Sequence, residues 1–425
     1  MRVKINGPQS INGNIRAPSS KAYTHRALLA SLLSEDETVI EGPLVCEDTQ
    51  KTLSAIHTLG AHVRTEKGTL VIRGVEKISA QSEASIDCGD SGTTFRLLAA
   101  LGATSSSGIR LRASQSLAGR PQTPLLRSLE ELGASTVSNP ILQESELYVR
   151  GPLKGGETWI DGNVSSQFIS GLLFASPCAE NDVTIHVTHE LESKPYVKMS
   201  LRILERHGIK IEENDSTYHI PAPQVYRPTR HQVPGDYSSA AFLIAGAATA
   251  GNSIMIEGLN RDPNEPDAVI TKLVGEMGVD LHWNGDLLTV QKKKLQGFKF
   301  DARDNPDLVP PLQVLGSFAE GDSEIQGVGR LRYKETDRLV TLPSELGKMG
   351  AKIMVRDDMI RIEGGQKSVG ANLTSHGDHR VAMACSIASL AAKGDSVLDR
   401  AETVSKSYPE FYTDLSRLGA QLDVE

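Results

Sequence analysis

"IHTLGAHVRTEKGTLVIRG" (residues 56–74) holds the unit from which the fold is built. A helix-like run ends at Gly60, and two alternating, strand-like runs follow with turn residues between them. A helix that stops at Gly reads as one closed by a left-handed residue, a backbone state that glycine adopts without a Cβ clash. The same element recurs as "LEELGASTV" (129–137), "LERHGIKI" (204–211), "VGEMGVDL" (274–281), "LGKMGAKI" (346–353) and "LSRLGAQL" (415–422). The glycines are Gly60, Gly133, Gly208, Gly278, Gly350 and Gly419. Their spacing of roughly 70 residues is that of a repeated supersecondary unit.

A second helix opens each copy. It reads "SSKAYTHRALLASLL", "SGTTFRLLAALGA", "SSQFISGLLFAS", "YSSAAFLIAGAATA", "NPDLVPPLQVLGSFA" and "DHRVAMACSIASLAA". These runs are apolar on nearly every face, which predicts buried helices, and each begins with residues suited to capping. Two helices alternating with strands, six times over, predict an α/β protein of two similar domains with three βαβαββ repeats each. The proline-rich stretch "PAPQVYRPTRHQVPGD" (221–236) marks a switch between the halves. After Gly419 only "AQLDVE" remains, one strand where other copies have two, and "MRVKING" at the N-terminus is expected to supply its partner. The expected domains are 14–230 (upper) and 1–13 plus 231–425 (lower).

Composition narrows the function. At 425 residues and 39% hydrophobic the chain is globular and too long for one core. A formal charge of −8 gives nucleic acid no global attraction. Cys46, Cys88, Cys178 and Cys385 are scattered, with neither disulfide nor zinc spacing. No apolar stretch would span a bilayer, and the start resembles no targeting peptide. A cytoplasmic protein with no membrane or nucleic-acid partner is expected.

Against that acidic background, cations gather at equivalent ends of the repeats. Lys21 and Arg26 lie in the first buried helix, and Gly92 with Arg96 in the second. Ser165, Ser166 and Gln167 open the third, Asp307 the fifth, and His379 with Arg380 the sixth. Loops before the outer helices hold Arg120 ("AGRPQTP"), Ser193 and Tyr196 ("ESKPY"), "RYKETDR" (332–338) and Lys406 ("SKSYPEF"). Each motif alone reads as a cap or a solvated charge run. In "RYKETDR" the spacing places Lys334 and Arg338 on one helix face. Jointly they predict a site for a multiply charged anion, because helix N-termini and cations both favour one. There is no P-loop Lys, so ATP is not indicated.

The ordered set "VSSQF", "SKPY", "KETDR" and "DHR" resembles the 5-enolpyruvylshikimate-3-phosphate synthase (3-phosphoshikimate 1-carboxyvinyltransferase) family, from Lys21 to Lys406. The resemblance implies an inside-out α/β barrel in each domain, with buried parallel helices and clamp-like closure on substrate. It implies transfer of the enolpyruvyl group of phosphoenolpyruvate to the 5-hydroxyl of shikimate 3-phosphate, without metal or organic cofactor, in a monomer. Phosphoenolpyruvate would meet Lys21, Gly92, Arg120, Gln167, Arg338, Arg380 and Lys406. Shikimate 3-phosphate would meet Lys21, Arg26, Ser165, Ser166, Gln167, Ser193, Asp307 and Lys334. Asp307 would be the base on the hydroxyl, Glu335 would exchange a proton with the methylene carbon, and Lys21 would stabilise charge. Ala22, Leu97 and Arg330 stand where the family commonly has Ser, Pro and Asn. The related UDP-N-acetylglucosamine enolpyruvyl transferases usually carry a reactive Cys in the loop matching "SLAGRPQTP", which has none here. A phosphate-binding scaffold would keep the cations but would not need Asp307 and Glu335 together.

Overall fold

The computed structural model describes residues 1–78, 84–140, 144–262 and 264–425. The six glycines that end the outer helices all take positive φ, from +78° to +102°. An L-residue there would be strained, so each helix stops where its glycine stands.

Among the described residues the strands form six four-stranded sheets of one pattern. In the third copy, Gly156–Asp161 runs parallel to Val183–Thr188, which pairs antiparallel with Thr217–Ile220, and Glu212–Asn214 completes the edge. Helix Ser166–Ala175 joins the first two strands, and helix Lys194–Arg206 leads from the second into the hairpin. This is the βαβαββ unit.

The sixth sheet takes its third strand from the N-terminus. Arg2–Ile5 lies between Ser396–Asp399 and Leu422–Val424, with Val3 opposite Leu398 on one side and Val424 on the other.

The chain divides into two compact units, Ser19–Val233 and Met1–Pro18 with Pro234–Glu425. The expected boundaries at 13/14 and 230/231 therefore shift by a few residues, for one reason at both crossings. Strand Ile11–Arg16 is the first strand of the fourth sheet, parallel to Gly251–Glu257. Strand Arg230–Gln232 is the first strand of the first sheet, parallel to Glu37–Glu41. Each strand lies just before a crossing and pairs within its own unit, so the ladder holds residues 14–16 and 231–232 with the sheets they complete.

Each unit has its own apolar core. In one, helices Lys21–Leu32, Gly92–Gly102 and Ser166–Ala175 pack together; in the other, Tyr237–Ala250, Val309–Phe318 and His379–Ala391. Every residue of Tyr237–Ala250 is buried, as an all-round apolar helix requires. Small residues let these helices approach closely. A Cβ on Gly171 would lie 3.1 Å from the Cβ of Ala100 and 3.2 Å from the carbonyl of Arg96, overpacking that typically costs about 1–3 kcal/mol. Among the described residues no helix is long and apolar enough to cross a membrane.

Candidate active site

Packing three helices side by side brings their N-termini to one end of each unit, and the polar residues follow. In the first unit, Ser20, Ser91 and Ser165 cap the three helices, accepting from the backbone N–H of Tyr23, Thr94 and Gln167. Arg96 then ties the second helix to its surroundings. Its Nη1 donates to Gln167 Oε1 at 2.9 Å and Ser165 Oγ at 3.2 Å, its Nε to Gln122 Oε1 at 3.2 Å, and its Nη2 to the Pro121 carbonyl at 3.1 Å. The guanidinium also lies over Phe168, 5.0 Å from the ring centre. Gln167 in turn donates to Thr93 Oγ1 at 2.9 Å. Gly92, Arg120, Ser165 and Gln167 are thus brought together. A Cβ on Gly92 would stand 3.4 Å from Arg120 Nη1 and 3.6 Å from Gln167 Oε1. Nε and Nη2 of Arg120 are buried without a hydrogen-bond partner. A buried cationic donor with unmet bonds beside a helix N-terminus is suited to an anion.

Lys21 and Arg26 are already engaged. Lys21 Nζ pairs with Asp48 Oδ2 at 2.7 Å. Arg26 is buried and donates to Ser200 Oγ at 2.7 Å, the Ala22 carbonyl at 3.0 Å and Ser170 Oγ at 3.3 Å. Burial lowers its pKa to about 10, with no carboxylate to offset it. Ser193 precedes helix Lys194–Arg206 with left-handed backbone (φ 57°) and is buried. Ser166 begins the third helix and is also buried.

The second unit is built on carboxylates. "RYKETDR" lies in the loop before its outer helix, as expected, but Lys334 and Arg338 do not share a helix face. A 3₁₀ turn covers Gly329–Tyr333, Lys334 is extended, Asp337 caps, and the helix begins only at Arg338. Two anchors fix that start. Asp337 accepts from the backbone of Leu339, and the fully buried Arg338 is gripped by Asp378, Nε to Oδ2 at 2.8 Å and Nη2 to Oδ1 at 3.1 Å. Lys334 and Arg338 nonetheless converge, both on Asp307 Oδ1, at 3.3 and 3.2 Å. Arg338 Nη2 also binds Glu335 Oε2 at 2.7 Å.

Asp307 lies in the 3₁₀ turn Pro306–Leu308, which leads into the fifth buried helix. It therefore does not cap that helix, and its carboxylate turns to cations. Arg380 Nη2 meets Oδ2 at 3.1 Å, opposite Lys334 and Arg338. Burial pushes the Asp307 pKa up, but Arg380, Lys334 and Arg338 outweigh it and hold the carboxyl well below the usual range. For Arg338, burial opposes the charge while Asp378, Glu335 and Asp307 favour it, and the pKa is raised. Burial keeps the Lys334 ammonium below the usual lysine range, with Arg338 and Arg330 adding to the effect against Asp307. His379 Nδ1 lies 3.9 Å from Glu335 Oε1. Lys406 Nζ donates to the Gly377 carbonyl at 3.1 Å, one residue before Asp378.

Sequence reasoning missed Asp378, Asp48 and Asp267. Asp378 was visible as the cap of "DHR", but its grip on Arg338 spans 40 residues and has no local signal. Asp267 is fully buried in left-handed backbone (φ 64°).

The family model for EPSP synthase (3-phosphoshikimate 1-carboxyvinyltransferase) matches residues 5–415. A 3-phosphoshikimate 1-carboxyvinyltransferase of Methanocella arvoryzae is 40% identical over 414 residues, 97% of this chain and 97% of its own. Another, from Methanothrix thermoacetophila, is 41% identical over 415 residues, again 97% of both. A solved EPSP synthase from Acinetobacter baumannii has a TM-score of 0.84 at 26% identity, covering 100% of this chain and 99% of that one. The enolpyruvyl transferase NikO from Streptomyces tendae, with a TM-score of 0.81 at 20% identity over 99% of this chain and 98% of that one, shares the fold.

Proposed function

The chain belongs to the EPSP synthase (3-phosphoshikimate 1-carboxyvinyltransferase) family, and on that premise we propose how its residues carry the reaction. The enzyme transfers the enolpyruvyl group of phosphoenolpyruvate to the 5-hydroxyl of shikimate 3-phosphate and releases phosphate. Two proton transfers are needed. The hydroxyl loses its proton as oxygen bonds to C2 of phosphoenolpyruvate, while C3 gains one and becomes a methyl group. The tetrahedral ketal then expels phosphate as C3 gives up a proton and the double bond re-forms.

Asp307 takes the hydroxyl proton, and Glu335 delivers and later removes the proton at C3. The observation that supports this division is that one buried guanidinium, Arg338, holds both carboxylates, Asp307 at 3.2 Å and Glu335 at 2.7 Å. A merely anion-binding protein gains nothing from two buried carboxylates beside its cations, since they compete with the ligand. With Arg380, Lys334 and Arg338 favouring its charge, Asp307 is a weak base. Substrate anions compete for Arg380, Lys334 and Arg338 and thereby restore its proton affinity. Binding is coupled to activation of the base in this way.

The remaining contacts carry over position by position. Phosphoenolpyruvate is assigned to Lys21, Gly92, Arg120 and Gln167 of the first unit and to Arg338, Arg380 and Lys406 of the second. Shikimate 3-phosphate is assigned to Lys21, Arg26, Ser165, Ser166, Gln167 and Ser193 of the first and to Asp307 and Lys334 of the second. The unmet N–H groups of Arg120 support the first assignment. The engaged Lys21 and Arg338 must share or exchange their carboxylate partners when substrate arrives. A monomer working in the cytoplasm completes the proposal. The test is phosphate release from phosphoenolpyruvate, with product identified by mass. Release is expected only when shikimate 3-phosphate is present. Release that UDP-N-acetylglucosamine supports instead, or none with either acceptor, would contradict the reading.

A further inference from the structure

Asp267 is a fully buried carboxylate that the mechanism above does not use. It stands in left-handed backbone (φ 64°) just before helix Val269–Glu276. One carboxylate oxygen, Oδ1, accepts from Asn305 Nδ2 at 3.0 Å, and Oδ2 accepts from Ser238 Oγ. The two donors belong to different elements of the second unit. Asn305 is the residue from which the turn Pro306–Leu308 springs, so it sits two residues before Asp307. Ser238 is the second residue of helix Tyr237–Ala250, and its carbonyl accepts from Arg380 Nη1 at 3.4 Å. Arg380 in turn reaches Asp307 at both its carboxylate, 3.1 Å, and its carbonyl, 3.4 Å.

Burying a carboxylate beside another carboxylate is unfavourable, and the Ser238 and Asn305 donors with the nearby Arg380 charge offset it only in part. Burial and Asp307 together push the Asp267 pKa up to about 6. Packing alone would be better served by an apolar side chain. A carboxylate does offer something an amide cannot: an acceptor oxygen for each of two elements at once.

We infer that Asp267 is a positioning residue for the transfer reaction, one that braces the Asn305 turn against the Ser238 helix start and so sets the approach of Asp307 to Arg380. The inference rests on the reading of Asp307 as the base. Its negative charge acts in the same sense as Glu335 on Asp307, raising its proton affinity against Lys334, Arg338 and Arg380. Asn305 contributes position without charge.

Asp267→Asn, Asn305→Ala and Asp307→Asn are to be compared in phosphate release with both substrates across pH. Loss of one brace should lower kcat about tenfold in Asp267→Asn and in Asn305→Ala, with each KM within about twofold, because the substrate-binding groups remain. The acid limb of the kcat profile should move to lower pH in Asp267→Asn and stay in place in Asn305→Ala. If Asp307→Asn abolishes turnover while the other two variants keep wild-type kcat and pH profile, even with lowered Tm, Asp267 is only structural and the inference fails. If Asp307→Asn itself turns over normally, the base assignment falls and the inference with it. Should Asp267→Asn not fold, Asn305→Ala alone decides, since unchanged kcat there overturns the brace.

Discussion

The two units repeat one architecture three times each and place opposite chemistry at the same helix ends. In the first, Lys21 pairs with the Asp48 carboxylate, but Arg26 is satisfied by Ser200, Ser170 and a carbonyl, and Arg96 by Gln122, Gln167, Ser165 and a carbonyl. Arg120 keeps buried N–H groups unmet. In the second, Lys334, Arg338 and Arg380 meet Asp307, while Glu335 and Asp378 share Arg338. Neutral partners leave a cation's charge available to a ligand, whereas carboxylate partners cancel it until a ligand competes. The difference teaches that the fold supplies the helix N-termini, while a few partner residues decide whether the cations beside them are neutralised by the chain itself.

The comparison breaks most severely if the second unit loses its borrowed strand. Removing residues 1–8 takes Arg2–Ile5 from the middle of its sheet and unpairs strands on both sides. The second unit should lose cooperative unfolding, seen by calorimetry, while the first retains its transition; an unaltered melt would mean that the strand contributes nothing.

A smaller and sharper change is Asp307→Asn. The amide cannot accept the hydroxyl proton, so turnover should fall about 10²–10⁴-fold, the usual worth of a general base. Shikimate 3-phosphate should still bind in calorimetry. Near-wild-type turnover would place proton transfer elsewhere.

Acid should separate the units. In the first, Tyr23 donates to His231 Nδ1 at 3.0 Å, His231 Nε2 to His207 Nε2 at 2.9 Å, and His207 Nδ1 to the Arg227 carbonyl at 2.8 Å. That chain needs both rings neutral, with the donors in this order. Burial lowers His207 to about 4, and burial with His207 beside it lowers His231 to about 3. The unfolded chain therefore binds protons more readily than the folded one, and stability is lost as pH falls from about 6.5 toward 4. Asp307 is depressed too, but its contribution holds above the free carboxylate value of about 3.9 and is lost only below it. Melting temperature followed against pH should show the decline above pH 4 shrinking in His231→Gln, by up to about 1.4 kcal/mol per pH unit for one proton. Equal slopes in the two proteins would remove the histidines from the account.

The smallest expected effect is at Gly92. It does not have positive φ, so Ala brings no backbone strain. The added Cβ would make ordinary contacts with Arg120 and Gln167, at 3.4 and 3.6 Å. Gly92→Ala should melt like wild type. It should lower affinity for glyphosate, which is longer than phosphoenolpyruvate, by a larger factor than it raises the phosphoenolpyruvate KM. Early melting with unaltered ligand constants would show the glycine serving the fold alone.

The sequence made the repeats legible because Gly60 and its five counterparts act locally, each closing its own helix. The missing strand after Gly419 was legible for the same reason, as a gap in a period. The strands at 11–16 and 230–232 were not, since each pairs with a strand about 190 to 240 residues away in sequence and leaves no local trace. Site residues were readable as motifs, but their partners were not. Arg338 finds Asp307 and Asp378 from 31 and 40 residues away, and only the packing of helices brings them together. "RYKETDR" shows the same limit, since it was readable as a loop before its helix, while the convergence of Lys334 and Arg338 on Asp307 was not.

The central claim is that the second unit carries the proton transfers on two separate carboxylates held by Arg338. It is tested most directly at C3 of phosphoenolpyruvate. With shikimate 3-phosphate in D₂O, the wild-type enzyme should exchange deuterium into the methylene group of recovered phosphoenolpyruvate, followed by NMR, because the ketal forms and reverses. Glu335→Gln, which still fits Arg338 but cannot carry that proton, should bind both substrates and show no exchange. Exchange at the wild-type rate in Glu335→Gln would contradict the account.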